Sequence, residues 1–289
     1  MKTWMFVCAY ILFAPLLGGL LAGIDRKITA RMQGRFGPPV LQPFYDVLKL
    51  FEKESVAVNH VQNFYILFFL FGVIFTGCLF FSGGDLLLVI FALTLANIFL
   101  ILGAYSANSP YSSIGALREL MQMMAYEPMV FLVAIGFYMV TGSFVISDLV
   151  HSNKLLLPYL PGIFAGFLYI LTIKMRKSPF DLSMSHHAHQ ELVKGITTEF
   201  SGSTLALIEI AHWYENLFLM GFIYLFFTWA SPWGPVVGVA ACLATYFLEI
   251  LIDNSFARAK WQYVLSSSWA VAATLGFANV VILQLLQKK

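Results

Sequence analysis

Residues 86–106 read LLLVIFALTLANIFLILGAYS, a run without a charged side chain and about as long as a helix needs to cross a membrane. Similar runs recur along all 289 residues, and the chain is 60% hydrophobic and 11% charged, with a mean hydropathy of +0.80. A soluble domain carries about 25% charged residues. The composition therefore predicts an all-α, polytopic membrane protein whose residues 1–289 form a single integral membrane domain.

The sequence predicts eight transmembrane helices and two long cytoplasmic loops, 25–63 and 174–202. The predicted spans are 4–24, 64–82, 86–106, 115–141, 158–174, 203–229, 235–252 and 264–286. The first run is longer than the apolar core of a signal peptide and a basic cluster follows it, so we interpret it as a retained helix.

The distribution of Lys and Arg predicts the orientation. Thirteen of the 17 basic residues fall on the side of the two long loops, and Lys2, Lys154, Lys288 and Lys289 fall on the other side. Because cytoplasmic loops carry the excess of basic residues, both termini are predicted to lie outside.

Redox and metal motifs are not found in the sequence. The three cysteines, Cys8, Cys78 and Cys242, lie far apart within predicted spans, and no CxxC, GxGxxG, Walker or HExxH pattern occurs. We therefore expect no cofactor and no metal on this chain, and any redox centre on a partner. The net charge of +2 gives no indication of nucleic acid.

Loop 25–63 divides into two parts. In its second half, apolar residues from Leu41 to Phe51 recur at three- and four-residue spacing, which predicts an amphipathic interfacial helix that packs on its own bundle. The basic first half either anchors the chain by the positive-inside rule or, with the break at residues 37–39, forms a rigid loop for a partner protein. The docking candidates here are Arg26, Lys27, Arg31, Arg35, Asp46 and Glu54.

Ionisable residues also occur within the predicted spans, where each costs roughly 2.5–3.5 kcal/mol on insertion scales. Glu127 precedes Pro128, which should leave the carbonyl of Met124 free for a polar partner. Glu209, His212 and Glu215 are three residues apart and are predicted to share one polar face. They form either a proton relay or a static network that holds helices together; burial of ionisable groups favours the relay. Asp85, Asp148, Glu249 and Asp253 lie near span ends, where we expect solvated or interfacial roles.

Half of the six histidines lie in the segment 181–191, DLSMSHHAHQE. The alternatives are a metal site, a solvated loop and a docking surface. No single helical face presents three good metal ligands, so we favour docking through His186, His187 and His189. Asp181, Glu191 and Glu199 would then carry the charge state of a partner towards the membrane.

The loop motifs resemble those of the subunit 1 family of respiratory complex I, whose members abut the peripheral arm. In the first loop the matches are Arg26-Lys27, Ala30-Arg31, Gln33, Arg35, Gly37-Pro38, Leu41-Gln42-Pro43, Asp46, Lys49-Leu50 and Lys53-Glu54. Elsewhere they are Gly115-Ala116-Leu117-Arg118, Gln122, Tyr126-Glu127, Ser178-Pro179-Phe180-Asp181-Leu182, Glu191-Leu192-Val193, Gly195 and Thr198-Glu199-Phe200-Ser201-Gly202. The resemblance implies that Glu127 and Glu199 belong to a buried acidic path beneath the arm.

Departures from the quinone-reducing members favour a particular branch. The histidines at 186–189 replace an acidic run, and His212 replaces a glutamate. This form is similar to the homologous subunit of membrane-bound, energy-converting [NiFe] hydrogenases, which implies a non-catalytic membrane subunit in a prokaryotic plasma membrane. Its expected partners are hydrogenase large and small subunits, an iron–sulfur subunit and an antiporter-like membrane subunit.

The function implied is coupling of ferredoxin-driven proton reduction to movement of protons or sodium ions. The alternatives are a quinone-binding complex I subunit, a self-contained transporter and a passive anchor. We find none of the internal repeats that a transporter predicts.

Overall fold

A computed structural model describes residues 2–54, 60–184 and 192–287. Within these ranges the chain is all-helical and forms no strand. The helices are α1 (Lys2–Met32), α2 (Gln42–Glu52), α3 (His60–Phe81), α4 (Leu86–Tyr105), α5 (Pro110–Thr141), α6 (Ile146–Val150), α7 (Pro161–Lys174), α8 (Gly202–Phe227), α9 (Gly234–Ser255), α10 (Trp261–Val271) and α11 (Ala278–Gln287). A 3₁₀ turn lies at Gly195–Thr197, and a π-helical turn at Ala272–Phe277 joins α10 to α11.

Six helices in the described part of the chain are long and apolar enough to span a membrane: α1, α3, α4, α5, α9 and the continuous α10–α11. The predicted fifth span corresponds to α7, which is apolar but has only 14 residues, and the sixth corresponds to the 26-residue α8. The membrane character of the chain is confirmed, and the count of eight spans stays a prediction.

Helix α1 continues well beyond residue 24, where the first predicted span ends. Its 31 residues correspond to about 46 Å, whereas the hydrocarbon core is about 30 Å thick. Arg26, Lys27 and Arg31 therefore lie on the last turns of this helix, and the cytoplasmic position predicted for residues 25–63 stays a prediction.

Helix α2 confirms the helix predicted in this segment. Phe44 packs edge-on against Trp213 of α8, with ring centroids 5.2 Å apart, and Val47 is buried. The chain before α2 also lies tightly on α1, because a Cβ at Gly23 would come 1.8 Å from the carbonyl oxygen of Val40. Leu48 faces outwards and is 58% exposed. The interfacial position of α2 stays a prediction.

Helix α8 lies at the centre of the bundle and packs against α1, α2, α3 and α9. Its buried face includes large apolar side chains such as Phe218 and Phe226, together with His212 and Glu215. A helix that is enclosed on most sides can carry ionisable groups, because neighbouring helices rather than lipid surround them.

Pro128 lies inside α5 without ending the helix. It has no N–H to donate to Met124, and the indole Nε1 of Trp269 donates to that carbonyl instead, at 3.2 Å. The expectation of a polar partner at Met124 is confirmed, and the partner is a side chain of α10.

Candidate functional site

Four buried ionic side chains from three helices and one turn meet at the carboxyl end of α7. We call them the ion cluster: Glu119 of α5, Lys174 at the end of α7, Arg176 just after it, and Glu215 of α8. Lys174 Nζ lies 2.8 Å from Glu215 Oε1, and Arg176 Nη2 lies 2.7 Å from Glu119 Oε1. Arg176 Nη1 lies 3.6 Å from Glu215 Oε2, so the two pairs form one continuous network.

The ion cluster is balanced in charge and removed from solvent. Each of its four side chains is at most 10% exposed. Two cations face two anions, which is the arrangement that buried ions require, since an unpaired ion in this environment would cost several kcal/mol. The cluster is therefore stable as a set and sensitive to the loss of any single charge.

The chain turns sharply at Arg176, and the turn directs the Arg176 side chain back into the bundle. Its backbone takes a left-handed conformation with φ of 52°, an uncommon state for a residue other than glycine. Burial disfavours the charged guanidinium, but the carboxylates of Glu119 and Glu215 outweigh this effect and raise the pKa of Arg176. Arg176 therefore stays protonated and acts as a fixed charge.

The ion cluster borders a small cavity that also reaches Glu127. Lys174 Nζ donates to the hydroxyl of Tyr126 at 3.0 Å, and Asn97 Nδ2 approaches the same hydroxyl at 3.2 Å. The cavity measures about 30 Å³ and is lined by these three residues, Glu127 and mostly apolar side chains. This volume accommodates about two water molecules.

Glu127 faces this cavity with an incompletely satisfied carboxyl group. Its Oε1 is buried and has no hydrogen-bond partner. A buried carboxyl oxygen without a partner is costly, and an ordered water can satisfy such a group where the cavity also offers it other polar partners, here Asn97, Tyr126 and Lys174. Water in the cavity would connect Glu127 to Lys174 and thus to Glu215.

The segment that follows α7 seals the ion cluster from the loop side. We call residues 175–184 the inner segment. Ser183 Oγ donates to Glu119 Oε2, and Lys177 Nζ lies 2.6 Å from Asp25 Oδ2 of α1. Ser178 N donates to Asp253 of α9 at 2.8 Å. The inner segment is thus fixed to three helices, and a displacement of it would act directly on Glu119.

The structure separates the predicted relay residues. Glu215 joins the ion cluster, whereas His212 packs edge-on near Phe69, with ring centroids 6.0 Å apart, and Glu209 is half-buried. Asp181 is buried in the inner segment, with an oxygen 3.8 Å from Arg258 Nε. Glu199 is half-buried, and its backbone carbonyl accepts from Gln62 at 3.4 Å. A relay through all these residues stays a prediction.

The histidine segment lies outside the described residues. His186, His187, His189 and Glu191 all fall there, so their predicted docking and coupling roles stay predictions. Across the ranges that the structure does describe, no group of three or more His, Cys, Asp or Glu side chains is arranged to hold a metal ion.

The candidate docking residues of the first loop lie largely on the surface. Arg26, Lys27, Arg31, Arg35 and Glu54 are exposed, and Asp46 is half-buried. Arg26 Nη1 lies 2.5 Å from Asp46 Oδ2, which ties the end of α1 to α2. Phe36 stands beyond them, 93% exposed, with Arg31 over its ring at 5.2 Å. An exposed aromatic side chain among cations is typical of a protein-binding surface.

Sequence reasoning missed three members of the ion cluster and misplaced one acid. The sequence places Lys174 and Arg176 only among the thirteen basic residues of the predicted cytoplasmic side, and no motif in it assigns a role to Glu119. The sequence contains a signal for this pairing. A buried acid needs a nearby cation, and few Lys or Arg residues lie next to the predicted spans. Glu249, for which we expected a solvated or interfacial role, is fully buried in α9, and neither carboxyl oxygen has a hydrogen-bond partner, so that expectation was wrong.

A protein-family comparison identifies the chain. The family model described as NADH dehydrogenase matches residues 4–284, which is nearly the whole sequence. This chain belongs to the NADH dehydrogenase subunit 1 family. The predicted resemblance is confirmed.

Members of this family that are similar to the chain come from two kinds of complex. Hydrogenase-4 component C of Escherichia coli (strain K12) is 29% identical over 95% of this chain and 92% of its own length. Formate hydrogenlyase subunit 4 of the same organism is 29% identical, with 96% of each chain covered. A subunit of the NADH-quinone oxidoreductase of Bacillus cytotoxicus is 30% identical over 98% of this chain and 94% of its own length.

The fold of the family also appears in a solved structure. A chain of the membrane-bound sulfane sulfur reductase, an archaeal respiratory membrane complex, superposes with a TM-score of 0.86 over 98% of this chain and 100% of that one. At 23% identity this likeness shows the fold.

Proposed function

We propose that this chain is the membrane coupling subunit of a complex-I-like, energy-converting [NiFe] hydrogenase. In this role it holds the peripheral redox arm on the membrane and links proton reduction, driven by ferredoxin, to the movement of protons or sodium ions. It performs no redox step; the iron–sulfur clusters and the Ni–Fe centre belong to partner subunits.

The similarity to two hydrogenase components supports this assignment of the complex. The histidine-rich segment 185–190 and His212 favour the same branch, because they stand where the resemblance to quinone-reducing members predicts acidic residues.

The single observation that carries the coupling role is the ion cluster with its adjoining cavity. Lys174 is the shared element, since its ammonium contacts Glu215 and borders the cavity that Glu127 faces. A lysine ammonium on a flexible stem can move between two carboxyl groups, whereas the paired Arg176 holds its position.

The mechanism we propose is electrostatic. A change of charge beneath the arm perturbs the inner segment and therefore the Arg176–Glu119 pair. The balance of charge around Glu215 then changes, and Lys174 shifts between Glu215 and the cavity. A proton enters or leaves Glu127 in response, because the low-dielectric surroundings make each of these charges strongly dependent on the others.

The surface that would receive the arm is the end of α1 with the chain that follows it. Arg26, Lys27, Arg31, Arg35, Asp46 and Glu54 lie on it, and Phe36 extends it. The hydrogenase large and small subunits and the iron–sulfur subunit would bind here, and an antiporter-like subunit would bind within the membrane. We place the complex in a prokaryotic plasma membrane with both termini outside.

One observation favours a second candidate, a quinone-binding subunit of a respiratory NADH dehydrogenase. The relative from Bacillus cytotoxicus is as similar to this chain as the two hydrogenase components are. Both candidate functions are compatible with the ion cluster. They differ in the subunits of the peripheral arm and in the electron acceptor, which is the proton in one complex and quinone in the other.

Purification of the native membrane complex through this chain separates the two candidates. We expect the complex to contain nickel and to evolve hydrogen from reduced ferredoxin, with no requirement for quinone. Bound quinone, absence of nickel and reduction of a quinone analogue by NADH would overturn the proposal in favour of the second candidate.

A further inference from the structure

A groove opens between α7, α9 and α10, away from the ion cluster. It encloses about 800 Å³, within the range of about 300–1,000 Å³ that is typical of ligand sites. Much of its wall is apolar and is formed by Leu168, Leu248, Ile252 and Phe256, together with the inner-segment residue Phe180. The wall therefore suits a hydrocarbon chain.

One end of the groove is cationic. Arg258 and Lys260 line it from the connection between α9 and α10, and the aromatic side chains of Tyr169 and Tyr263 lie beside them. Tyr and Trp rings are enriched at membrane–water interfaces, and this connection is on the side of the bundle predicted to be cytoplasmic. The groove thus has a positively charged mouth and an apolar interior.

Arg258 has unused hydrogen-bonding capacity. Its Nη1 is buried without a hydrogen-bond partner, and its Nε is 3.8 Å from Asp181, beyond hydrogen-bond distance. A buried guanidinium N–H without an acceptor carries a desolvation cost, which an anionic ligand at the mouth of the groove would remove.

Hydrogen bonds hold the walls of the groove together. Ala259 N donates to Pro179 O at 3.1 Å, and the hydroxyl of Tyr169 donates to Ser267 Oγ at 2.7 Å. These bonds join the connection and α10 to the inner segment and α7. A preformed site spends less of its binding energy on ordering side chains.

We infer that this groove binds an anionic phospholipid, with the phosphate on Arg258 and Lys260 and an acyl chain along Leu168, Leu248 and Ile252. The cationic mouth and the apolar wall together favour an anionic phospholipid. Inorganic phosphate would contact only the mouth, and a neutral lipid would contact only the wall. Basic pockets between helices on the cytoplasmic side are a recurrent form of anionic lipid recognition.

The test uses the purified membrane complex in vesicles that contain phosphatidylglycerol with a photoreactive diazirine in its acyl chain. We expect labelled peptides from α9 and α7 within residues 161–182 and 248–263. Replacement of both cations, Arg258→Gln with Lys260→Gln, should lower this labelling roughly tenfold. Leu248→Trp, which fills the apolar wall and leaves the charges intact, should lower it as well.

A matched control removes two charges elsewhere. Lys49→Gln with Lys53→Gln, at exposed positions in α2 and directly after it, should leave the labelling unchanged. Equal labelling by phosphatidylcholine that carries the same diazirine would overturn the inference, as would full competition by inorganic phosphate. Labelling of a neighbouring subunit in place of these peptides would also overturn it, because a protein would then cover the groove.

Discussion

Lys174 and Glu215, from different helices, form an ion pair of 2.8 Å in which both side chains are less than 10% exposed. The pair joins the end of α7, where the chain turns into the inner segment, to the middle of the central helix α8. It therefore connects the start of the inner segment to the interior of the helix bundle.

Removal of Lys174 should destabilise the protein strongly. Lys174→Met leaves Glu215 with Arg176 3.6 Å away as its remaining cation, and breaking a buried pair typically costs about 3–5 kcal/mol. We expect a clear fall in the midpoint of thermal unfolding in detergent, with exposed Lys53→Met unchanged as the control.

Removal of both partners separates stability from coupling. Lys174→Met combined with Glu215→Leu leaves the Arg176–Glu119 pair intact and should recover most of the lost stability, because apolar groups replace the ions. Ion pumping should stay absent in this double variant. Recovery of pumping would contradict the role given to Lys174.

Glu127→Gln should abolish coupled ion movement while the complex still assembles. The substitution keeps the size of the side chain and removes the group that accepts a proton at the cavity. Ion uptake into vesicles during hydrogen evolution measures the effect, and Glu52→Gln on the exposed face of α2 is the control. If the subunit is a passive anchor, both variants will pump normally.

The bond from Trp269 to Met124 should matter only because Pro128 is present. Trp269→Phe should cost about 0.5–1.5 kcal/mol, the usual net value of a hydrogen bond. In a Pro128→Ala background the N–H of residue 128 can satisfy the Met124 carbonyl, so the same change should cost less. A double-mutant cycle on unfolding free energy measures the difference, and simple additivity would refute the explanation.

Glu249 should be replaceable without loss of stability. Both of its carboxyl oxygens are buried without hydrogen-bond partners, and such a group is costly to bury. Glu249→Leu is therefore expected to maintain or raise the unfolding midpoint. A marked fall in the midpoint would show that the carboxyl group makes a stabilising interaction.

Acid should weaken the attachment of α2 to α1. Burial acts against the charged form of Asp46, but hydrogen bonds from Arg26 and Gln42 outweigh it and lower the pKa of Asp46. A lowered pKa gives stability that is present above the unfolded pKa of about 4 and is lost as the pH falls through the folded value. Because both side chains are more than 40% exposed, the contribution should be at most about 1 kcal/mol and should shrink with added salt.

The Asp46 effect is measurable as the unfolding midpoint between about pH 3 and 6, compared with Asp46→Asn. In Asp46→Asn, the part of the pH dependence of the unfolding midpoint that comes from the Arg26–Asp46 pair should be absent. Identical profiles for the two proteins would show that the pair contributes nothing in solution.

The sequence by itself determined the membrane character, six of the spanning helices and the family. Hydropathy is a sum over neighbouring residues, so a run such as 86–106 specifies a membrane helix without reference to the rest of the chain. The Pro128 effect at Met124 was predictable for the same reason, since it depends on a spacing of four residues within one helix.

Only the tertiary structure decided which charges meet. Glu119 and Arg176 are 57 residues apart, and Arg176 reaches the acid only because α5 and α7 pack together and the chain turns sharply after α7. Helical periodicity places Glu209, His212 and Glu215 near one another along α8, but the helix opposite each residue determines its partner. Glu215 faces Lys174 and Arg176 for this reason, and a pattern within one helix contains no information about that neighbour.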